Sequence, residues 1–297
     1  MSVLDWCLLV AITTIWLILV VNVVLVIAGY LEYLQQVKRP VPALPQVPPF
    51  VSVMVPAHNE GIVIVKTVEA LLRFDYPQDR YEIIVINDNS DDDSAVLLAA
   101  LQRQHPDRQL TIVNTDAANG GRGKSNALNI GLAAAQGEVL AIYDADNTPE
   151  AGALRILVSE LMADDSLGAV IGKFRTRNRH ATLLTRFINI ETLSFQWMAQ
   201  AGRQHLFGLC TIPGTNYVIR RELIDAIGGW DVQALAEDTE ISFHVYLHHL
   251  RILFQPKAVT WEQEPQTCPS YTSDAADDLF LVDFGGPRII KKKNIHP

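Results

Sequence analysis

Apolar residues follow two patterns along this chain. From Leu8 to Gly29 they run without a single charge, LLVAITTIWLILVVNVVLVIAG. At about 1.5 Å per helical residue the run is long enough for the roughly 30 Å hydrocarbon core of a bilayer. The start MSVLDW has no basic residue and AGYLEYL offers no small-residue cleavage site, so a transmembrane helix fits better than a signal peptide. Lys38 and Arg39 follow the span and no basic side chain precedes it, which places the bulk of the chain in the cytoplasm, anchored to the cell membrane. Residues 1–36 form this anchor and its flank. Residues 37–50 contain RPVPALPQVPPF, a stiff proline-rich linker.

From Val51 the apolar stretches are short and alternate in period. VSVMVP is a β-branched strand, and EGIVIVKTVEALLRF has helical spacing. YEIIVIND, LTIVN and EVLAIYDAD are three further strands. The helical segments DSAVLLAALQRQ, KSNALNIGLAAAQ and PEAGALRILVSELMA separate and follow them, the last with Pro149 at its start. This alternation predicts an α/β fold, a mostly parallel sheet with helices on both faces. Ligands of such sheets bind beyond the carboxyl ends of the strands. Polar clusters fall there: Asp88 after the second strand, Asn114 after the third, Asp144 and Asp146 after the fourth.

Composition narrows the function. A net charge of −9 over 297 residues argues against a general nucleic-acid binder. The cysteines Cys7, Cys210 and Cys268 are too scattered for a metal site or a disulfide framework and suit a reducing compartment. The stretch NGGRGKSNALN has the Gly123-Lys124-Ser125 end of a phosphate loop, but Ala118 stands where the first glycine belongs. Two carboxylates in YDADN, Asp144 and Asp146, suit a hard cation such as Mg²⁺ or Mn²⁺ with substrate phosphates. Taken alone they also suit a helix N-terminus ahead of Pro149. In AEDTEISF, Glu237, Asp238 and Glu240 open a helix, as caps or as a general base. Lys173, Arg175, Arg177 and Arg179 are spaced two apart, so on a strand they share one face. That face is a solvated edge or, as the minority reading, a surface for phosphate or anionic lipid. His248 and His249 end a helix and read as structural.

In order, VPAHNE, VINDNSDDD, RGKSNALN, DAD, GTNYVIRR, IGGWD and LAEDTEISF resemble the family 2 glycosyltransferases, specifically the membrane-embedded synthases of cellulose, hyaluronan and poly-N-acetylglucosamine type. The resemblance covers Val51 to Thr267, the stretch 51–267 expected to be one catalytic domain. It implies a Rossmann-like GT-A fold, a nucleotide-sugar donor, a divalent cation, inversion at the anomeric carbon and a polysaccharide or lipid-linked acceptor. By position, Pro56, Asn59 and Glu60 match the motif beside the base and ribose, and Asp88 the acidic position on uracil or ribose. Lys124 matches a donor-loop lysine, and Asp144 and Asp146 the metal-binding pair. Gly214, Thr215 and Asn216 match the acceptor channel, and Asp238 the catalytic base with Glu237 beside it. The family continues with a Gln-x-x-Arg-Trp segment and more membrane helices. Here residues 268–297 depart from that pattern, as a truncated or frame-shifted tail would. The expectation is that donor binding survives and polymer formation is lost.

Overall fold

The computed structural model of this chain describes residues 2–61 and 63–264. Residues 268–297, expected to be an unrelated tail, lie outside the described residues.

The first helix, α1 (Val3–Lys38), extends past the apolar run at both ends. Ser2 caps it: its Oγ accepts from the Asp5 N–H at 3.2 Å while Asp5 Oδ2 accepts from the Ser2 N–H at 2.6 Å. From Leu8 to Val24 its apolar side chains are exposed all round. It is the one helix among the described residues long and apolar enough to cross a membrane. Only its last turns touch the rest of the chain, through Ala28, Gly29, Glu32 and Gln36, which share one face.

The strands β1 (Val51–Ala57), β2 (Tyr81–Asn87), β3 (Leu110–Asn114) and β4 (Val139–Ile142) pair in parallel in the order β3-β2-β1-β4. The remaining four are β5 (Thr148–Pro149), β6 (Leu167–Thr176), β7 (Tyr217–Arg220) and β8 (Arg251–Glu262), which extend the sheet as β7-β6-β8-β5. Three of these later pairings are antiparallel, so the sheet is parallel on its N-terminal side and mixed beyond β4. β7 runs antiparallel to both of its neighbours, β4 and β6.

The apolar strands divide their side chains by parity, as the pleat requires. Val51, Val53 and Val55 join Ile83, Val85, Val139 and Ala141 in one core, beneath α2 (Ile64–Leu71), α3 (Ser94–Gln104) and α5 (Ala153–Ala163). Met54, Ile84, Ile86, Leu140 and Ile142 form the opposite core with α4 (Lys124–Ala134). α6 (Leu183–Ser194), a π-helical stretch Phe195–Gln200 and α7 (Ala201–Phe207) lie on that side as well, and α7 contributes Ala201 to its core. α8 (Arg221–Ile227) and α9 (Glu237–Leu247) complete the fold.

Two boundaries differ from the sequence reading. β4 stops at Ile142, leaving Asp144 and Asp146 in the turn beyond it. Pro149 does not open a helix: it pairs with Thr260 in β5–β8, and α5 begins at Ala153. Pairing with β8 satisfies the Glu150 N–H through the Val259 carbonyl at 2.9 Å, so the chain remains extended here.

Candidate active site

The carboxyl ends of β1, β2 and β4 converge on a cavity of about 420 Å³, lined among others by Pro56, Glu60, Asp88, Lys124, Asp144 and Asp146. A second cavity of about 670 Å³ shares Gly123, Lys124 and Asp144 with it and continues to Gly214, Glu237 and Asp238. The two make one cleft, with Lys124 and Asp144 at the join.

The floor of the first half is held by Asp88, which is only 5% exposed. Its Oδ1 accepts from Thr115 Oγ1 at 2.8 Å and from the Gly121 N–H at 2.9 Å. The loop 115–123 therefore folds down onto the carboxylate. Position 120 must be glycine here, since a Cβ would lie 1.9 Å from Thr115 Oγ1 and 2.5 Å from Asp88 Oδ1. Asn59 is placed differently from Pro56 and Glu60. It sits on the rim at positive φ, with its Oδ1 accepting from the Asp91 N–H at 2.9 Å, and it ties the β1 turn to the 88–92 loop.

At the join, Lys124 Nζ donates to Asp144 Oδ1 at 2.5 Å and to the Gly214 carbonyl at 3.0 Å, and lies 3.6 Å from Glu237 Oε1. Burial pulls the Lys124 pKa down, but Asp144, Glu237 and Asp238 together outweigh it and hold the ammonium charged. The Asp144 N–H donates to Thr215 Oγ1 at 2.9 Å, so Thr215 sets the start of the acidic turn. Burial, and next the neighbouring Asp144, raise the Asp146 carboxyl above the usual aspartate range. Glu262, at the end of β8, is raised well above the ordinary glutamate range by burial and then by Asp146 and Asp144. The buried Oδ1 of Asn147 has no partner among the described residues.

These groups fit a hard divalent cation. The donors are all oxygen, burial and then the neighbouring carboxylates raise the pKa values of Asp146 and Glu262, and a neutral amide oxygen is left orphaned beside them. Among the described residues no cluster of three or more His, Cys, Asp or Glu closes around an ion. A cation here would therefore complete its shell with substrate phosphate and water, as Mg²⁺ and Mn²⁺ do.

In the second half, Asp238 stands at the first turn of α9. Burial, and then Glu237, raise its carboxyl above the usual aspartate range. Its Oδ1 accepts from the Thr239 N–H at 2.5 Å, leaving Oδ2 toward Gly214, where a Cβ would sit 3.5 Å away. Asn216 does not line this half. It is fully buried at positive φ, and its Nδ2 donates to the Lys173 and Ala258 carbonyls at 3.1 Å, joining β6 to β8. His58, Asn147 and Glu262 are site residues that sequence reasoning missed. His58 lies inside the VPAHNE motif, and its Nδ1 is 2.7 Å from the Asp88 carbonyl on the cavity wall. Glu262 carried no signal, because only the β5–β8 pairing brings it to Asp146.

A sheet with this strand order, an acidic turn after β4 and a carboxylate-led helix facing it is the GT-A architecture of nucleotide-sugar transferases. The chain belongs to glycosyltransferase family 2: the family described as "Glycosyltransferase like family 2" matches residues 48–276. It is 47% identical over 262 residues to the "Probable glycosyltransferase YdaM" of Bacillus subtilis, covering 87% of this chain and 61% of that protein. It is 33% identical over 204 residues to the "Beta-monoglucosyldiacylglycerol synthase" of Synechocystis sp., covering 69% of this chain and 42% of the relative. A "Poly-beta-1,6-N-acetyl-D-glucosamine synthase" of Staphylococcus epidermidis is 28% identical over 218 residues, covering 73% of this chain and 50% of the synthase. The chain thus spans about half the length of these relatives. Among solved structures it matches the "Mannosyltransferase PcManGT from Pyrobaculum calidifontis in complex with GDP-Man and Mn2+" with a TM-score of 0.64 and 26% identity, over 87% of this chain and 72% of that one.

Proposed function

We propose that this chain is an inverting, metal-dependent glycosyltransferase that moves a hexose or N-acetylhexosamine from a UDP-sugar to a polysaccharide acceptor. The observation that carries the reading is the position of Lys124, which joins Asp144 in one half of the cleft to Glu237 and Gly214 in the other. The first half takes the donor, with Pro56, Glu60 and Asp88 around base and ribose. Asp144 and Asp146 hold the cation, which when bound neutralises charge on the leaving diphosphate. The second half takes the acceptor.

An acceptor hydroxyl is a weak nucleophile, and Asp238 accepts its proton as the new bond forms. The acceptor oxygen bonds to the anomeric carbon, the bond from that carbon to the donor phosphate breaks, and its electron pair leaves with the nucleoside diphosphate. Lys124 stands where that negative charge grows, already charged and oriented. One displacement inverts the anomeric centre, so an α-linked donor gives a β-linked product. α1 anchors the chain in the cell membrane with the catalytic domain in the cytoplasm.

A second reading, transfer of a single sugar to a lipid acceptor, is favoured by the packing of α7 and the π-helical stretch on α1 and by the relatedness to a glucosyldiacylglycerol synthase. The test is UDP release from a panel of UDP-sugars with and without Mn²⁺, together with the length of the product. Turnover that needs the metal, and loses it in Asp146→Ala with the fold intact, is expected. A lost ligand should weaken metal-assisted UDP binding by about tenfold or more. No UDP release from any sugar, or metal-enhanced UDP affinity unchanged in Asp146→Ala, would overturn the reading.

A further inference from the structure

The four alternating cations of KFRTRNR take no part in the cleft. Lys173 and Arg175 lie on β6, while Arg177 and Arg179 fall in the turn beyond Thr176, so the four do not share one strand face. Lys173, Arg175, Arg179 and His180 instead curl around a separate cavity of about 420 Å³, closed on its other side by Asn189, Thr192 and Leu193 of α6. This cavity shares no lining residue with either half of the cleft.

The cavity is built for an anion. Lys173 is only 7% exposed, and its Nζ lies 4.8 Å from the centre of the Trp197 ring. Arg175 lies over Trp261 at 5.5 Å. Among the described residues none of Lys173, Arg175, Arg177 and Arg179 meets a carboxylate within ion-pair distance. A buried ammonium with aromatic company and no counter-ion is costly unless a ligand supplies the charge. Burial and then Arg175 already pull the Lys173 pKa down to about 8.

The rim is built for lipid. On α6, Leu183, Phe187 and Ile190 are 68%, 61% and 58% exposed, at helical spacings of four and three. Phe207, at the end of α7, is 65% exposed. The π-helical stretch and α7, which follow α6 in the chain, pack on the membrane helix. A Cβ on Gly202 of α7 would lie 2.5 Å from the Leu25 carbonyl, and one on Gly29 would lie 1.8 Å from the Trp197 carbonyl. The backbones touch where α1 still carries its apolar run. Leu25 is four residues inside the end of that run, a depth of about 6 Å at the helical rise. Glu32 fixes the crossing, accepting from Gln204 Nε2 at 2.7 Å and pairing with His205 Nδ1 at 3.2 Å. α7 therefore sits at the level where chain and bilayer surface meet, and the polypeptide runs from α6 through the π-helical stretch directly into it.

We propose that the cavity between the end of β6 and α6 holds the phosphate headgroup of an anionic phospholipid, with the exposed face of α6 and Phe207 lying in the surface of the bilayer that α1 crosses. A free anion would use the cations and gain nothing from the apolar rim; a phospholipid uses both. The inference rests on α1 as a membrane span and is independent of the sugar transferred.

The test is native mass spectrometry of the full chain in detergent, presented with equal amounts of phosphatidylglycerol and phosphatidylcholine of matched acyl chains. Retention of phosphatidylglycerol in preference to phosphatidylcholine, by on the order of tenfold, is expected. Arg179→Gln, in an exposed turn, should lower that preference about fivefold, the worth of one cation near an anionic surface. Lys173→Gln should lower it at least as far, and both variants should bind UDP as the parent does. Equal retention of the two lipids, or an undiminished preference in both variants, would overturn the proposal. Displacement of the lipid by millimolar inorganic phosphate would overturn the lipid assignment in favour of a free-anion site. A chain that alkaline carbonate strips from membranes would remove the anchor and the proposal with it, whether or not it releases UDP.

Discussion

The two halves of the cleft are built from different materials. The donor half is made of strand ends: Asp88 follows β2, the Pro56 turn ends β1, and Asp144 follows β4, all in register on one parallel sheet. Its polar groups are pinned from behind, as Asp88 is by Thr115 and Gly121. The acceptor half is made of loops around Gly214 and residues 232–236, where Leu235 is 80% and Val232 54% exposed. In the reading proposed above, a preorganised sheet edge suits the constant ribose and diphosphate of a nucleotide-sugar. In the same reading, exposed loops take the acceptor, and surface loops tolerate change because little core depends on them. Lys124 belongs to both halves.

Asp238→Asn should break the comparison most sharply. The amide keeps size and capping ability but cannot accept a proton, so transfer should fall by on the order of 10² or more. UDP affinity, a property of the other half, should stay within about twofold of the parent, a small fraction of the 1.4 kcal/mol per decade scale. Single-turnover transfer and UDP titration on the same preparation decide it. Near-normal transfer would reduce Asp238 to a helix cap.

Asp88→Ala acts on the pinned half. It removes the acceptor of the exposed Gly121 N–H and the half-buried Thr115 hydroxyl, at a cost of about 0.5–1.5 kcal/mol of stability because water can replace part of it. UDP binding should weaken with it, because the 115–123 loop loses its floor. Asp88→Asn retains an acceptor at Oδ1 and should fall between the two. Thermal unfolding with and without UDP measures both effects. A Leu235→Ser control should move stability by under about 0.5 kcal/mol.

The smallest effect concerns pH. Asp238 must be ionised to act as a base, and burial with Glu237 raises its pKa, so transfer should fail on the acid side at a higher pH than an ordinary aspartate would dictate. Glu237→Gln removes a neighbouring negative charge, which lowers the Asp238 pKa. The acid limb of the transfer profile should then move to lower pH. A limb that stays put, or moves up, would separate Glu237 from the base.

Most of the donor half was legible in the sequence because it is local. Pro56 ends one strand and Glu60 follows it, Asp88 follows the next, and the period-2 to period-3.6 alternation fixes where strand ends lie. The acceptor half was legible only through the resemblance, since nothing in GTN or AED says which way these residues face. Asn216 illustrates the limit. It stands beside Thr215 in sequence, yet positive φ turns its amide into the sheet to bond Lys173 and Ala258, while Thr215, also buried, accepts from the Asp144 N–H behind the cleft. The Pro149 helix start failed for a similar reason: proline suits a first helical turn and an edge strand alike, and the choice depended on β8, about a hundred residues away.

By itself the sequence determined the apolar anchor, the alternating strands and helices, and the carboxylates at strand ends, because these depend on near neighbours and on periods of two and 3.6. Tertiary structure decided what depends on distant pairings. The antiparallel return of β7 brings Gly214 to Lys124, β8 carries Glu262 to Asp146, and α1 packs on Gly202 and the Trp197 backbone. No residue in those contacts signals its partner in sequence, since each partner is chosen by the packing of the whole sheet.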